Sequence, residues 1–456
     1  MNTERINGPE MLSSGVVLFP NVLDRFPTNL ADAHVLTLNA IHQGYLIQKQ
    51  LGFYPADLTE EEWARAVQLN DRLARNNTRV IRRSVLFMGE KLLAVPYTER
   101  SSGFRRTHRH IADSLDQVVA AAEGLPEVSL IRSQTQILAK GFRTGDTDRA
   151  MEEYINLRRL PRHAIGAFLQ ERILDKEKNL KFAYEGWSTE ENRELSSDYN
   201  TWSRVVLHDF RRYGYTDFIF CDAGGQAGVA TEIIWSGDTM PSQPEIGERY
   251  GHRIFFFDNV SAWKTARDVM MILREITPPE VFTKMEDGDT LDRVRRAVIA
   301  AHEVGHAAQV IPAGTDRRLG PWYQVLKETF ADAFAPLALT KRPEIVIRRD
   351  EVLAAMYFDL ARGITIINEY RQKVAQGNEK GNIIDPYPIS HATKIQTLLC
   401  KGAYVTEAGR YRVTDLNRVR RASETYLREL NDKTVNGSQA EVEDFIMERS
   451  SALLAA

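Results

Sequence analysis

The sequence is short of several things, and each shortage excludes a class. Its 456 residues hold 2 cysteines, Cys221 and Cys400, too far apart for a CxxC metal or redox pair. Two buried thiols in a reducing compartment are expected rather than a bridge. Glycine and proline number 28 and 17, too few for a low-complexity or collagenous chain. No excess of one charge sign is present: the net charge of −3 gives no electrostatic case for nucleic acid or an anionic membrane. Apolar runs such as Ala297–Ala301 fall far short of the roughly 20 residues of a membrane helix. The start, Met1 to Ile6, lacks the basic region and apolar stretch of a secretory signal, so a cytoplasmic protein is expected.

What is present is an ordinary globular composition, 43% apolar and 27% charged. The length suits two or three domains or one large two-lobed fold. Val35, Leu36, Leu38, Ile41, Tyr45 and Leu46 recur near helical spacing, so the first 60 residues read as helical. Thr59 followed by three glutamates predicts a capped helix over 60–75. Residues 79–97 read as a hairpin with Gly89 in its turn. The basic cluster Phe104–His110 lacks an aromatic stacking set and a Gly-rich cradle, and reads as a solvated face. Helices are expected over 111–123 and 149–168. Short strands are expected at 218–220, 229–235 and 254–257, with Gly224-Gly225 and Gly237-Asp238 as the turns between them. The Gly224–Gly228 stretch is not a dinucleotide fingerprint, because no GxGxxG leads into a helix there. From about Ala262 onward nearly everything reads as helix.

The chemistry concentrates in Ala301-His302-Glu303-Val304-Gly305-His306-Ala307, an HExxH pentapeptide. Val294, Ala297, Val298, Ala301 and Val304 recur at helical spacing, and Pro312 with Gly314 ends the segment. On such a helix His302 and His306 lie one turn apart, so both imidazoles can reach one tetrahedral ion. Glu303 is rotated roughly 100° from His302, which directs it to a water at the metal rather than to the metal. A catalytic zinc site takes three protein ligands and keeps one position open. The HExxHxxGxxH class is excluded, since Gln309 and Pro312 stand at those positions. The other class draws a glutamate from a following helix, and Leu326-Lys327-Glu328-Thr329-Phe330-Ala331-Asp332 supplies one. Glu328 and Asp332 share a face, so Glu328 can ligate while Asp332 accepts a hydrogen bond from a ligating imidazole. The bland alternative is a buried histidine pair beside an exposed Glu–Asp face.

In this order of features the chain resembles the dipeptidyl peptidase III family of zinc metallopeptidases over about residues 180–440. The resemblance begins with the strand region ending at 254–260 and runs through the HExxH helix. It includes Lys327–Asp332, similar to that family's EExxAD element, and Lys401-Gly402-Ala403-Tyr404 with Gly409-Arg410-Tyr411-Arg412-Val413. It implies His302, His306 and Glu328 as ligands of one Zn2+, or of another divalent transition metal, and Glu303 as general base. It also places Tyr184, in Phe182-Ala183-Tyr184-Glu185, where the family has an oxyanion-stabilising tyrosine. There are departures. The family's zinc helix usually has one more residue between its histidines. Its usual substrate contacts are not clearly kept near Tyr387-Pro388-Ile389-Ser390-His391, where His391 is the candidate replacement. The resemblance does not extend to the first 180 residues.

The expected fold is α+β: a two-lobed zincin-like metallohydrolase. A mixed α+β lobe would span 1–261 and a mainly helical zinc-binding catalytic lobe 262–456, with a substrate cleft between them. The expected function is zinc-dependent hydrolysis of an amide bond in a short peptide, with Tyr184 and His391 as candidate oxyanion donors. One rival keeps the metal and acts on a small metabolite by hydrolysis, isomerisation or elimination. The other is a non-catalytic metal-binding protein, against which Glu303 speaks, because a structural site needs no base.

Overall fold

Internal contacts divide the chain into two units, 7–189 with 221–235 and 190–220 with 236–456. A computed structural model describes residues 8–50, 83–88, 91–144, 147–157, 160, 163–171, 178–210, 216–228, 231, 234–240, 244–312, 314–376, 385–407 and 410–455.

The first unit holds β1 (Glu10–Met11), β2 (Val17–Leu18), α1 (Pro20–Leu23), α2 (Thr28–Gln50), β3 (Arg83–Met88), β4 (Lys91–Pro96), α3 (Tyr97–Ala121), α4 (Val128–Thr144), α5 (Thr147–Ile155), β5 (His163–Glu171) and β6 (Lys178–Trp187). The early helix and the β3–β4 hairpin are as expected, with Met88 opposite Lys91. Gly89 and the helix expected over 60–75 lie outside the described residues. The basic cluster rides on α3, where Arg109 and His110 are exposed. The helix expected over 149–168 is corrected: it ends at Ile155, and 163–171 is strand. Proline at 161 cannot continue a helix, and β5 pairs with β6 along its whole length, so sheet pairing overrides local propensity.

A long strand, β7 (Thr216–Gly228), contributes its second half to this unit, pairing with β2 and β6. Gly224 and Gly225 therefore lie in a strand, not a turn. A Cβ at Gly225 would stand 2.4 Å from Leu38 Cδ1, so glycine there admits α2 against the sheet. The strand expected over 229–235 is also corrected. At its described positions residue 231 is helical and Ile234 is left-handed, with φ 46°. The Gln226 side chain takes the place of a strand partner. Its Oε1 accepts from the Trp235 N–H at 2.9 Å and its Nε2 donates to the Trp235 carbonyl at 2.8 Å.

The second unit opens with α6 (Glu190–Asp209). The first half of β7, then β8 (Gly237–Met240), α7 (Pro244–Tyr250) and β9 (His252–Phe257) follow. Beyond them come α8 (Asp258–Lys264), a π-helical turn over 265–269, α9 (Met270–Ile276), α10 (Pro279–Glu286), α11 (Gly288–Ala308) and α12 (Thr315–Leu319). The chain ends with α13 (Trp322–Lys341), α14 (Val352–Ala375), α15 (Pro386–Cys400), the hairpin β10 (Tyr404–Glu407) and β11 (Arg410–Val413), α16 (Leu416–Asn436) and α17 (Gln439–Leu454). The unit is mainly helical, as expected. One hydrophobic core runs from Trp202, Phe218 and Phe256 through Val294 and Val298 to Phe330 and Phe334. Two features of this core position the site. A Cβ at Gly305 would stand 2.7 Å from Ala331 Cα, so α11 and α13 touch backbone to backbone. And β8, antiparallel to β9, has no described strand on its far side and lies against α11. No described helix is long and apolar enough to cross a membrane.

Candidate metal centre

Close contact at Gly305 lets side chains from α11 and α13 converge. His302 Nε2 and His306 Nε2 lie 3.3 and 3.6 Å from Glu328 Oε2. One ligand atom from each of the three residues falls within 4.8 Å of the others. Glu328 Oε2 is buried and takes no hydrogen bond, so its desolvation is unrelieved by the protein alone. Two imidazole nitrogens and one carboxylate at this spacing fit a divalent transition ion better than a hard cation.

Asp332 lies one turn after Glu328 and is almost fully buried. The His302 Nδ1–H donates to Asp332 Oδ1 at 2.8 Å, which fixes a proton on Nδ1 and turns Nε2 toward Glu328. The Ser390 hydroxyl donates to Asp332 Oδ2 at 2.7 Å. Burial alone would push the His302 pKa down. The Asp332 carboxylate outweighs it and raises the value to about 10, a measure of how strongly positive charge on this ring is favoured. His306 has no such partner, and burial carries it down to about 3.

Glu303 is held from the sheet side. The Thr239 hydroxyl donates to Glu303 Oε2 at 2.7 Å. A Cβ at Gly237, two residues back on the same face of β8, would stand 3.2 Å from Glu303 Oε1. The glycine expected in a turn is thus a strand residue that gives the carboxylate room. Burial, aided by the Asp238 and Glu328 charges, raises the Glu303 pKa to about 7 against the opposing effects of His302 and Thr239.

The helix α15 starts at Asp385, whose side chain caps the Tyr387 N–H, with Pro386 at its first position. That start sets the phase of Tyr387, Ser390, His391 and Lys394. His391 is fully buried, with Nδ1 3.3 Å from Asp332 Oδ2. It touches the donor set through Asp332 and presents no open face to a substrate. Tyr387, not singled out as a site residue from sequence, has its hydroxyl pKa raised well above the ordinary value. Burial is the main cause, followed by the Glu328 and Glu303 charges. Arg362 on α14 brings its guanidinium to 3.8 Å from Asp332 Oδ1. Tyr184 is in β6 of the other unit, opposite Gly166 and Gln226, and its side chain lies outside what is described. Thr239, Gly237 and Ser390 had no motif to announce them.

The fold is similar to two solved structures. The dipeptidyl peptidase III of Caldithrix abyssi superposes with a TM-score of 0.64 at 13% identity, covering 94% of this chain and 92% of that one. The dipeptidyl-peptidase III of Corallococcus sp. strain EGB gives 0.65 at 17% identity, covering 88% and 75%. No protein-family model and no curated protein matches the sequence.

Proposed function

We propose that this chain is a zinc-dependent, cytoplasmic hydrolase that cleaves an amide bond in a short peptide. The observation that carries the reading is Glu303. It is a buried carboxylate with one oxygen tied to Thr239 and a pKa near 7, beside a two-histidine, one-glutamate donor set. A zinc ion held by His302, His306 and Glu328 would supply Lewis acidity, lowering the pKa of a water and polarising the scissile carbonyl. Glu303 takes the attacking water's proton, with Oε2 occupied by Thr239 and Oε1 available to receive it. It then delivers that proton to the leaving amine. A pKa near 7 suits both transfers close to neutral pH. Asp332, held by Ser390, keeps the His302 tautomer correct for ligation. Tyr184 remains the donor for the developing oxyanion on the resemblance alone, and the Tyr387 hydroxyl, near both carboxylates, is a second donor. The choice of a peptide substrate draws on the fold neighbours, both dipeptidyl peptidases III.

Glu303→Gln keeps the shape of the side chain and loses its basicity. Metal content should stay near wild type while turnover on a dipeptidyl-naphthylamide panel falls at least about a hundredfold. His302→Ala and Glu328→Ala should each lose the metal by elemental analysis. Metal retained in both ligand variants defeats the ligand assignment. A metal-loaded wild type that cuts no peptide above the Glu303→Gln rate defeats the peptide and leaves the small-metabolite reading.

A further inference from the structure

The proposed hydrolysis leaves one buried imidazole unused. His391 on α15 is 0% exposed. Burial holds its pKa well below the ordinary value, so the ring is neutral near neutral pH and carries a single N–H. Its Nδ1 lies 3.3 Å from Asp332 Oδ2. Neither ring nitrogen makes an aligned hydrogen bond to a described residue, so the approach of Nδ1 to the carboxylate is bent. A carboxylate oxygen at that distance attracts an N–H and repels a lone pair, which puts the proton on Nδ1. The fold also clears that side of the ring. A Cβ at Gly363 on α14 would stand 3.2 Å from His391 Nδ1, a tight contact that glycine avoids. An imidazole set this deep, with Nε2 unsatisfied, costs free energy that an apolar side chain would not. What it stands against is the carboxylate that takes the His302 Nδ1–H at 2.8 Å and the Ser390 hydroxyl at 2.7 Å.

We propose that His391 is a positioning residue for the metal site: its Nδ1–H, beside the Ser390 hydroxyl, fixes Asp332 Oδ2, so that Oδ1 stays on the His302 Nδ1–H and His302 Nε2 stays aimed at the ion. Ser390 and His391 are neighbours on one helix, so α15 delivers both contacts to the same oxygen. The inference rests on the zinc reading of the donor set and adds to it a residue that acts only through Asp332.

Zinc affinity of the full chain, measured by chelator competition near neutral pH, tests it, with the visible spectrum of the cobalt(II)-loaded protein as a second readout. His391→Leu fills the space without a donor and should weaken zinc binding several-fold to about tenfold, the low end for outer contacts to a ligand. The cobalt bands should shift with it. His391→Asn keeps an N–H near the Nδ1 position and should restore most of the affinity. In an Asp332→Ala background, His391→Leu should change the affinity no further, because its effect passes through that carboxylate. Circular dichroism establishes that each variant is folded. If His391→Leu misfolds, His391→Gln, which carries its amide past the Nδ1 position, takes its place. An affinity and cobalt spectrum equal to wild type in the folded variant overturn the inference. So does equal weakening in the Leu and Asn variants, or a loss that persists without Asp332. A wild-type chain that takes up no zinc overturns the zinc reading itself, which keeps the two failures apart.

Discussion

Among the described residues, the two units differ in whether charge also goes inside. In the first, the described ion pairs sit at the surface: Arg143 beside Asp116 and Lys140 beside Glu153 have cations 43% and 53% exposed. The second has exposed pairs too, such as Arg349 with Glu344 and Arg412 with Glu407, but it also takes charge inside. Lys394 meets both oxygens of Asp359 at 2.8 and 2.9 Å with side chains 0% and 2% exposed. Arg295 and Arg296 close on Asp258, and Asp332 gathers His302, Ser390 and His391. Exposed pairs contribute little, because water already solvates both partners. Buried pairs cost several kcal/mol of desolvation per ion and break even only with good geometry. Of these interior charges, Asp332 is the one in direct contact with the donor set, through His302.

The contrast can be broken experimentally. Lys394→Ala should cost most, about 3–5 kcal/mol in urea unfolding, because it strands the Asp359 carboxylate in the core. Combining Lys394→Met with Asp359→Leu should recover most of that loss. A single variant as stable as wild type would mean the pair is not dry. Asp258 comes next. Burial would raise its pKa, but Arg295 and Arg296 outweigh that and hold it at about 2 against 3.8 for the free side chain. A depressed carboxylate contributes stability above its unfolded value that is lost as pH falls through its folded one. Stability should therefore decline between about pH 4 and pH 2, by about 2 kcal/mol, and Asp258→Asn should flatten that limb. The smallest effect is expected at the surface. Arg143→Ala should cost under about 1 kcal/mol, and less in high salt. A larger, salt-independent loss would erase the distinction between the units.

Sequence spacing made the donor set legible because helical geometry is local. His302, Glu303 and His306 are fixed by one helix, and Glu328 and Asp332 by another, so only the meeting of two helices had to be supplied. Even the Asp332 to His302 bond follows from that spacing. What spacing could not supply were the contacts from elsewhere. Thr239 is 64 residues from Glu303, and Ser390 is 58 from Asp332, with no periodic signal joining them. Glycine misled for the same reason. Gly225 and Gly237 looked like turn residues, yet each is a strand position that another element approaches closely. The strand at 163–171 was hidden by an apolar pattern equally suited to a helix, and only its pairing with 178–187 decides it. The depth of His391, fully buried beside Asp332, was likewise not legible from spacing.

The contact between Gly305 and Ala331 has a thermodynamic side. Main chain resting on main chain leaves no soft side-chain layer to compress, so the distance between the ligand-bearing helices is a property of the fold. On the proposed metal reading, the donors would be assembled before an ion arrives, and little ordering entropy would be lost on binding. Binding energy then passes almost undiminished into the folded state. By mass action an ion at a thousandfold excess over its Kd adds about 4 kcal/mol to stability. On the proposed metal reading, the chain stripped of its ion would be easier to melt, while the helix contact would keep the donors at their spacing.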